Sequence, residues 1–262
     1  MMAYFSQAMK SFSRSMAYRA EVWLQIGGNT LFLLIQISIW KALLGDSITS
    51  GVGLKEMVSY SILNTSLSII LMTHVHNQVD ESLKTGGIMM HLVKPLRYPF
   101  FLFADEAGKN MYKIVFQLIP TLLIAALLFG LQPISASHDL IPFVATVMIA
   151  LLISFGIGYL IALVAFWFMT TFALRWTVGG LIKIFSGSFI PLWFFPPVWQ
   201  DVANMLPFKF LGFVPAAVYL GKMTSNEIYQ NIIVGLIWIA ILYGLVSLLW
   251  WKALRRLAIQ GG

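Results

Sequence analysis

Apolar runs long enough to cross a bilayer recur along the chain, and short polar interruptions separate them. A helix rises 1.5 Å per residue, so roughly twenty residues cross the hydrocarbon core. On that scale the pattern predicts six spanning helices, over residues 22–44, 57–73, 114–131, 140–170, 178–195 and 228–251. The second extends helically through His76, and the fourth is longer than one crossing needs. Within the fourth, Gly156, Gly158 and Ala162 put small residues on one face, where a neighbouring helix can approach closely. The longest polar segment, 77–113, carries Asp80, Glu81, Lys84, Lys94, Arg97, Asp105, Glu106 and Lys109, with apolar islands at 88–92 and 98–103.

Near the N-terminus, Phe5, Met9, Phe12 and Met16 fall at i, i+4, i+7 and i+11, with Ser6, Lys10, Ser11, Ser13 and Arg14 on the other faces. This predicts an amphipathic helix within 1–20 lying in the interface plane, apolar side down on membrane lipid. A cytosolic leader helix would share the pattern. A cleaved signal would need an uninterrupted apolar core before a small-residue site.

The stretch 186–221 breaks the rhythm. It is apolar and aromatic, yet Pro191, Pro196, Pro197, Pro207 and Pro215 interrupt it, and Asp201, Asn204 and Lys209 sit inside it. Each proline removes a backbone donor and clashes with a continuing helix, so one straight span is excluded. Broken backbone at membrane depth survives only when packed in protein or lining a wet cavity. The expectation is a helix reaching the surface near Phe195, then short helices over 198–205 and 208–220 that dip back as a re-entrant hook, 196–221. A passive interfacial loop is the alternative.

Composition and charge narrow the class. Of 262 residues, 59% are hydrophobic and 10% charged, more apolar surface than a soluble domain can cover. The fold class is therefore all-α polytopic membrane protein, a single transmembrane domain over 1–262 without internal repeat or linker. The formal charge is +7, but the basic residues occur singly between spans, which fits loops beside anionic lipid and not nucleic acid. Six spans put both termini on one side. That side carries Lys10, Arg14, Arg19, Lys84, Lys94, Arg97, Lys109, Lys113, Arg175, Lys252, Arg255 and Arg256. The other side has only Lys55, Lys209 and Lys222 in its loops, with Lys41 near a span end, so the termini are expected in the cytoplasm and the hook outside.

Enzyme chemistry finds no support. No phosphate loop ends in Lys-Ser or Lys-Thr: Gly108-Lys109 leads to Asn110, and Gly221-Lys222 to Met223. The absence of cysteine excludes disulfides and cysteine-ligated metal. His74 and His76, two apart, face different sides of a helix and read as a solvated pair, not a metal site. Ser186-Gly187-Ser188 lacks a histidine in the later spans to serve as base. Lys183 lies inside the fifth span, where a charge marks function unless it snorkels past Arg175 to the surface. Gln36, Asn64 and Gln117 are expected to bond between helices.

Two stretches carry a family resemblance: Thr85-Gly86-Gly87-Ile88-Met89-Met90-His91-Leu92-Val93-Lys94-Pro95-Leu96, and Ser186 to Leu192 continuing through Pro196, Leu206-Pro207-Phe208, Pro215 and Gly221. With six spans, an N-terminal interfacial helix and a hook, the whole chain resembles permease subunits of ABC-2-type exporters, in the branch with a separate ATPase. The resemblance implies a coupling helix within 77–113 that docks on the ATPase through Gly87, Ile88, Met89, His91, Leu92, Val93, Lys94 and Pro95. Ile88, Met89, Leu92 and Val93 supply apolar knobs, and Lys94-Pro95 would stop the helix; an amphipathic helix resting on lipid is the alternative. It implies a second permease copy or a homologous permease as partner. It implies no cofactor in this chain, ATP and Mg being bound by the ATPase, and an extracytoplasmic gate at Pro191, Pro196, Pro197, Asp201, Pro207, Phe208 and Pro215. The expected location is the inner or plasma membrane, and the expected cargo amphipathic or hydrophobic. A secondary transporter would need broken helices in two repeat halves, and only one half is broken here. A non-transporting scaffold or assembly factor is the other rival.

Overall fold

A computed structural model of the chain describes residues 2–45, 52–93, 97–135, 139–168 and 171–260. Helix α1 (Met2–Ser15) leads through a 3₁₀ turn into α2 (Arg19–Leu44). Then come α3 (Leu54–Leu71), α4 (Val75–Lys84), α5 (Gly87–Leu92) and α6 (Tyr98–Lys113). A π turn (Ile114–Leu118) joins α6 to α7 (Ile119–Phe129). The remainder is α8 (Leu140–Phe168), α9 (Phe172–Phe185), α10 (Pro197–Met205), α11 (Phe213–Tyr219) and α12 (Ser225–Gln260). Five stretches are long and apolar enough to cross a membrane: Ala20–Leu44, Leu54–Lys84, Tyr98–Phe129, Leu140–Phe168 and Ser225–Arg256.

The expected span 178–195 takes a different form. Helix α9 starts earlier and has 14 residues, about 21 Å of rise. It stops at Ser186 because Gly187 adopts φ 71°, a conformation that ends helices, and Pro191 follows. The helix expected to run through His76 also breaks, at Met72–His74, where the sequence holds neither proline nor glycine. Side chains inserted into the ladder account for it. Ser154 donates to the Leu71 carbonyl, Lys113 Nζ donates to the Met72 carbonyl at 2.8 Å, and Thr73 Oγ1 accepts from Val75 N–H at 3.3 Å. Gly158 gives room for this, since a Cβ there would collide with the Thr73 methyl. The π turn has a local cause: Pro120 lacks the N–H that would have met the Phe116 carbonyl.

Helices α3 and α8 are the inner pair, buried along most of their length, and α12 packs on α8. Helix α1 lies against α6 through Tyr4, Gln7, Ala8, Ser11 and Arg14, a face spaced i, i+3, i+4, i+7 and i+10. The helices touch at Gly108, where a Cβ would strike the Ala8 carbonyl. The expected apolar stripe divides. Phe12 and Met16 pack on Val22, Ile26 and Tyr112, whereas Phe5 and Met9 stay exposed.

Candidate functional site

Gly86, at φ 70°, turns the chain sharply after α4 and starts α5. Ile88 is 2% exposed and joins Val75, Val79, Tyr98, Phe101 and Leu102 in a core shared with α8 and α12. It anchors the helix to its own chain, contrary to the expectation that it faces a partner. With Ile88 inward, the helical turn points Met89, Met90 and Val93 outward, at 45%, 70% and 87% exposure. His91 rests on Phe101, ring centroids 4.8 Å apart. Lys94, Pro95 and the Leu92 side chain lie outside the described residues, and α5 already ends at Leu92. Met90 was not singled out by the sequence pattern; the 100° step between residues would have found it once Ile88 was known to face inward.

Charges gather where α1, α4 and α6 meet. Asp105, 1% exposed, accepts from Gln7 Nε2, Arg14 Nη2 and Lys109 Nζ, each at 2.8 Å. Lys109 also donates to Gln78 on α4 at 3.4 Å, and Lys113 lies 4.0 Å from Glu106 while it caps Met72. Arg175 ties the start of α9 to α4: it donates to Asn77 Oδ1 at 2.8 Å and meets His76 Nε2 at 3.1 Å. His74 and His76 belong to this network. Among the described residues no group of three His, Asp or Glu could hold a metal.

The hook is a series of short helices opened by prolines. Pro197 begins α10 and Pro207 begins a 3₁₀ turn (Pro207–Leu211), positions where the missing N–H leaves no bond unmade. Pro196 caps α10, and Pro215 lies in the first turn of α11. Pro191 precedes another 3₁₀ turn, Leu192–Phe194. The expected helix over 208–220 is thus two pieces, divided at Gly212. A Cβ at Gly212 would lie 2.8 Å from Asn64 Oδ1 and 3.0 Å from the Ser186 carbonyl. Asp201 is exposed on α10, and Phe208 packs at the edge of the core.

The second half of the hook, from Pro207 to Leu220, is largely buried, whereas α10 is largely exposed. Phe210, Leu211, Val214 and Val218 join Leu67 of α3, Ile149 and Ile153 of α8 and Leu242 of α12. Tyr60, fully buried on α3, donates to the Gly187 carbonyl at 2.6 Å, and Phe213 N–H donates to the Ser186 carbonyl at 2.8 Å. Gln36 and Asn64 were expected to bond between helices; Gln36 donates instead to the Phe189 carbonyl in the loop after α9, at 3.3 Å, and Asn64 within its own helix, to Tyr60. Gln117 is buried at the π turn. Ser186 and Ser188 hydroxyls bond each other at 2.9 Å. Trp40 stacks on Phe194, and an apolar cavity of about 350 Å³ lies between α2 and this segment.

A family model described as ABC-2 family transporter protein matches residues 29–261. No curated protein and no solved structure matches the chain. The matched region takes in every element from the body of α2 onward, including α5, the break and the hook. The chain therefore belongs to the ABC-2 family of membrane transporters, as a permease.

Proposed function

We propose that the chain is the transmembrane half of an ATP-driven exporter of amphipathic or hydrophobic cargo. It pairs with a second permease and is driven by separate ATPase subunits that bind ATP and Mg. Its termini and α5 face the cytoplasm of a cell (inner or plasma) membrane, and α1 rests Phe5 and Met9 on lipid. The observation that carries the reading is α5 within a chain of this family: a short helix fixed from behind by Ile88, with Met89 and Met90 uncovered. Adaptable methionines on a rigid mount suit a partner groove.

The contacts supply a mechanical route. A push on α5 passes to α4, then through the capped break at Met72–His74 to α3. Tyr60 links α3 to Gly187 at the hook. Packed elements of this kind shift between discrete arrangements, which permits alternating access. The hook is read as re-entrant on the depth of Phe210. It packs on Ile149, nine residues into α8, and a Cβ at Gly235, ten residues into α12, would lie 3.3 Å from it. Both positions are about 14–15 Å from a helix start, half of a roughly 30 Å core.

The test is a pull-down from native membranes of wild type and Met89→Asp/Met90→Asp, with ATPase quantified. A methionine side chain buried in a groove contributes about 1.5–3 kcal/mol, and the charges add a desolvation cost. ATPase recovery should fall at least tenfold while Ile88 keeps α5 in place. Equal recovery of stoichiometric ATPase with both proteins would exclude α5 as the dock.

A further inference from the structure

The sequence across the break, Ile-Ile-Leu-Met-Thr-His-Val-His-Asn over 69–77, contains nothing that stops a helix. Leucine and methionine favour one, and threonine, histidine and valine oppose it only weakly. Yet Met72 stands extended at ψ 102°, and α4 begins anew after His74 at φ −113°. In a continuous helix the Leu71 and Met72 carbonyls would accept from Val75 and His76 N–H. Here they accept from Ser154 Oγ and Lys113 Nζ, donors borne by α8 and α6. Val75 N–H turns to Thr73 Oγ1 at 3.3 Å. Two bonds within the helix are thus exchanged for two from other helices, one for one. Both carbonyls are satisfied in either form, as a two-state element requires.

Of the two donors, Lys113 is the one that can let go. Ser154 is buried within α8, whereas Lys113 ends α6 directly before the π turn and carries its ammonium on a flexible stem. A π turn loosens the helix that contains it and is frequent at functional sites; this one packs on α3. One turn earlier on the same face of α6, Lys109 donates to Gln78 of α4 at 3.4 Å. Helix α6 therefore grips the chain on both sides of the break, at Met72 before it and at Gln78 after it. Helix α5 follows α4 through the Gly86 turn, so a displaced α5 pulls on this grip.

We infer that Met72–His74 is a two-state hinge and that Lys113 is the positioning residue that holds it bent. When the ATPase displaces α5, Lys113 releases the Met72 carbonyl and His76 N–H takes its place. Leu54–Lys84 then runs as one helix. The inference rests on the exporter reading and adds the moving part and its latch.

Spin labels at Lys55→Cys and Glu81→Cys of the cysteine-free full chain read the hinge by double electron–electron resonance. Both positions are exposed, and in one straight helix they stand about 39 Å apart; a bend shortens that distance. The otherwise wild-type chain, recovered from native membranes with its ATPase, should show the shorter distance without nucleotide. It should gain a population near the straight-helix value when ATP and vanadate trap the ATPase. Loss of one hydrogen bond from a charged donor shifts such an equilibrium at least tenfold. Lys113→Met should therefore raise the long-to-short ratio at least tenfold before nucleotide is added, with ATPase recovery unchanged, and Lys113→Arg should restore it. Thr73→Pro acts in the opposite sense: proline suits the extended Met72 before it and forbids the straight helix. Its distance should stay short under vanadate. One unchanged distance in wild type with and without vanadate, or the same lengthening in Thr73→Pro, would overturn the hinge. A Lys113→Met distribution identical to wild type would overturn the latch. That comparison is repeated in dodecylmaltoside micelles without ATPase, so the exporter reading fails separately, when no ATPase accompanies wild type from membranes.

Discussion

Replacing Asp105 by asparagine should release α1 from the bundle. Three donors converge on this carboxylate, and two of them come from α1. A hydrogen bond to a charged acceptor contributes about 1.5–3 kcal/mol, which applies to Gln7. Arg14 is 66% exposed, so solvent screening holds its share to about 0.2–1 kcal/mol. Lys109 is on α6 itself and does not hold α1. Asparagine keeps an acceptor oxygen, so the expected loss is about 1–3 kcal/mol out of about 2–4. At 1.4 kcal/mol per factor of ten, amide exchange in residues 2–15 should quicken roughly five- to a hundredfold. Gly108→Ala should do the same by geometry, because its new Cβ meets the Ala8 backbone and no side chain can move aside. Hydrogen–deuterium exchange with peptide resolution reads both variants. Unchanged protection of α1 in both, or equal loosening of α8, would refute the idea that this junction holds the N-terminal helix.

Other outcomes follow from the same contacts. Tyr60→Phe leaves the buried Gly187 carbonyl without its 2.6 Å donor; about 1–3 kcal/mol of destabilisation is expected, and a thermal unfolding midpoint equal to wild type would sink the link. Replacing Pro191, Pro197 and Pro207 together should cut cargo-stimulated ATPase activity and leave ATPase docking intact, whereas wild-type transport would reduce the hook to a passive loop. Single cysteines in this cysteine-free chain test the orientation: one at Asp201 should react with outside reagent and one at Lys84 only with cytoplasmic reagent, and the reverse would invert the map.

What could be read from the sequence follows from where the causes lie. Prolines act locally, so the helix expected over 198–205 lies within a residue of α10, whereas the division of 208–220 at Gly212 was not legible. Glycine-lined faces were legible for the same reason, and Gly158 does admit a close neighbour in Thr73. The break at Met72–His74 was not, because Ser154 and Lys113 make it from 80 and 40 residues away along the chain, roughly. Nor was the shortness of α9: residues 178–195 are apolar apart from Lys183 and two serines, and the positive φ of Gly187 ends the helix ahead of Pro191. A short helix does form at Gly87–Leu92, but which of its residues faces inward depends on the core of α4, α6 and α8. For that reason Ile88, expected outward, is buried, and Met90, which the pattern did not single out, is exposed.

On the proposed re-entrant reading, the Pro207–Leu211 turn carries an electrical consequence. Lys209 is 8% exposed there, held by Asn204 Oδ1 at 3.3 Å. On the proposed orientation, lifting the hook outward would carry a positive charge through up to half of the membrane field, against an inside-negative potential. A full crossing amounts to about 2.3 kcal/mol per 100 mV, so this partial one amounts to about 1 kcal/mol. A polarised membrane would then favour the closed hook by about fivefold, and a collapsed potential would free it. Cargo flux from proteoliposomes clamped with potassium and valinomycin should show that dependence in wild type and lose it in Lys209→Gln. A flux independent of voltage in wild type would mean that the hook stays down throughout the cycle.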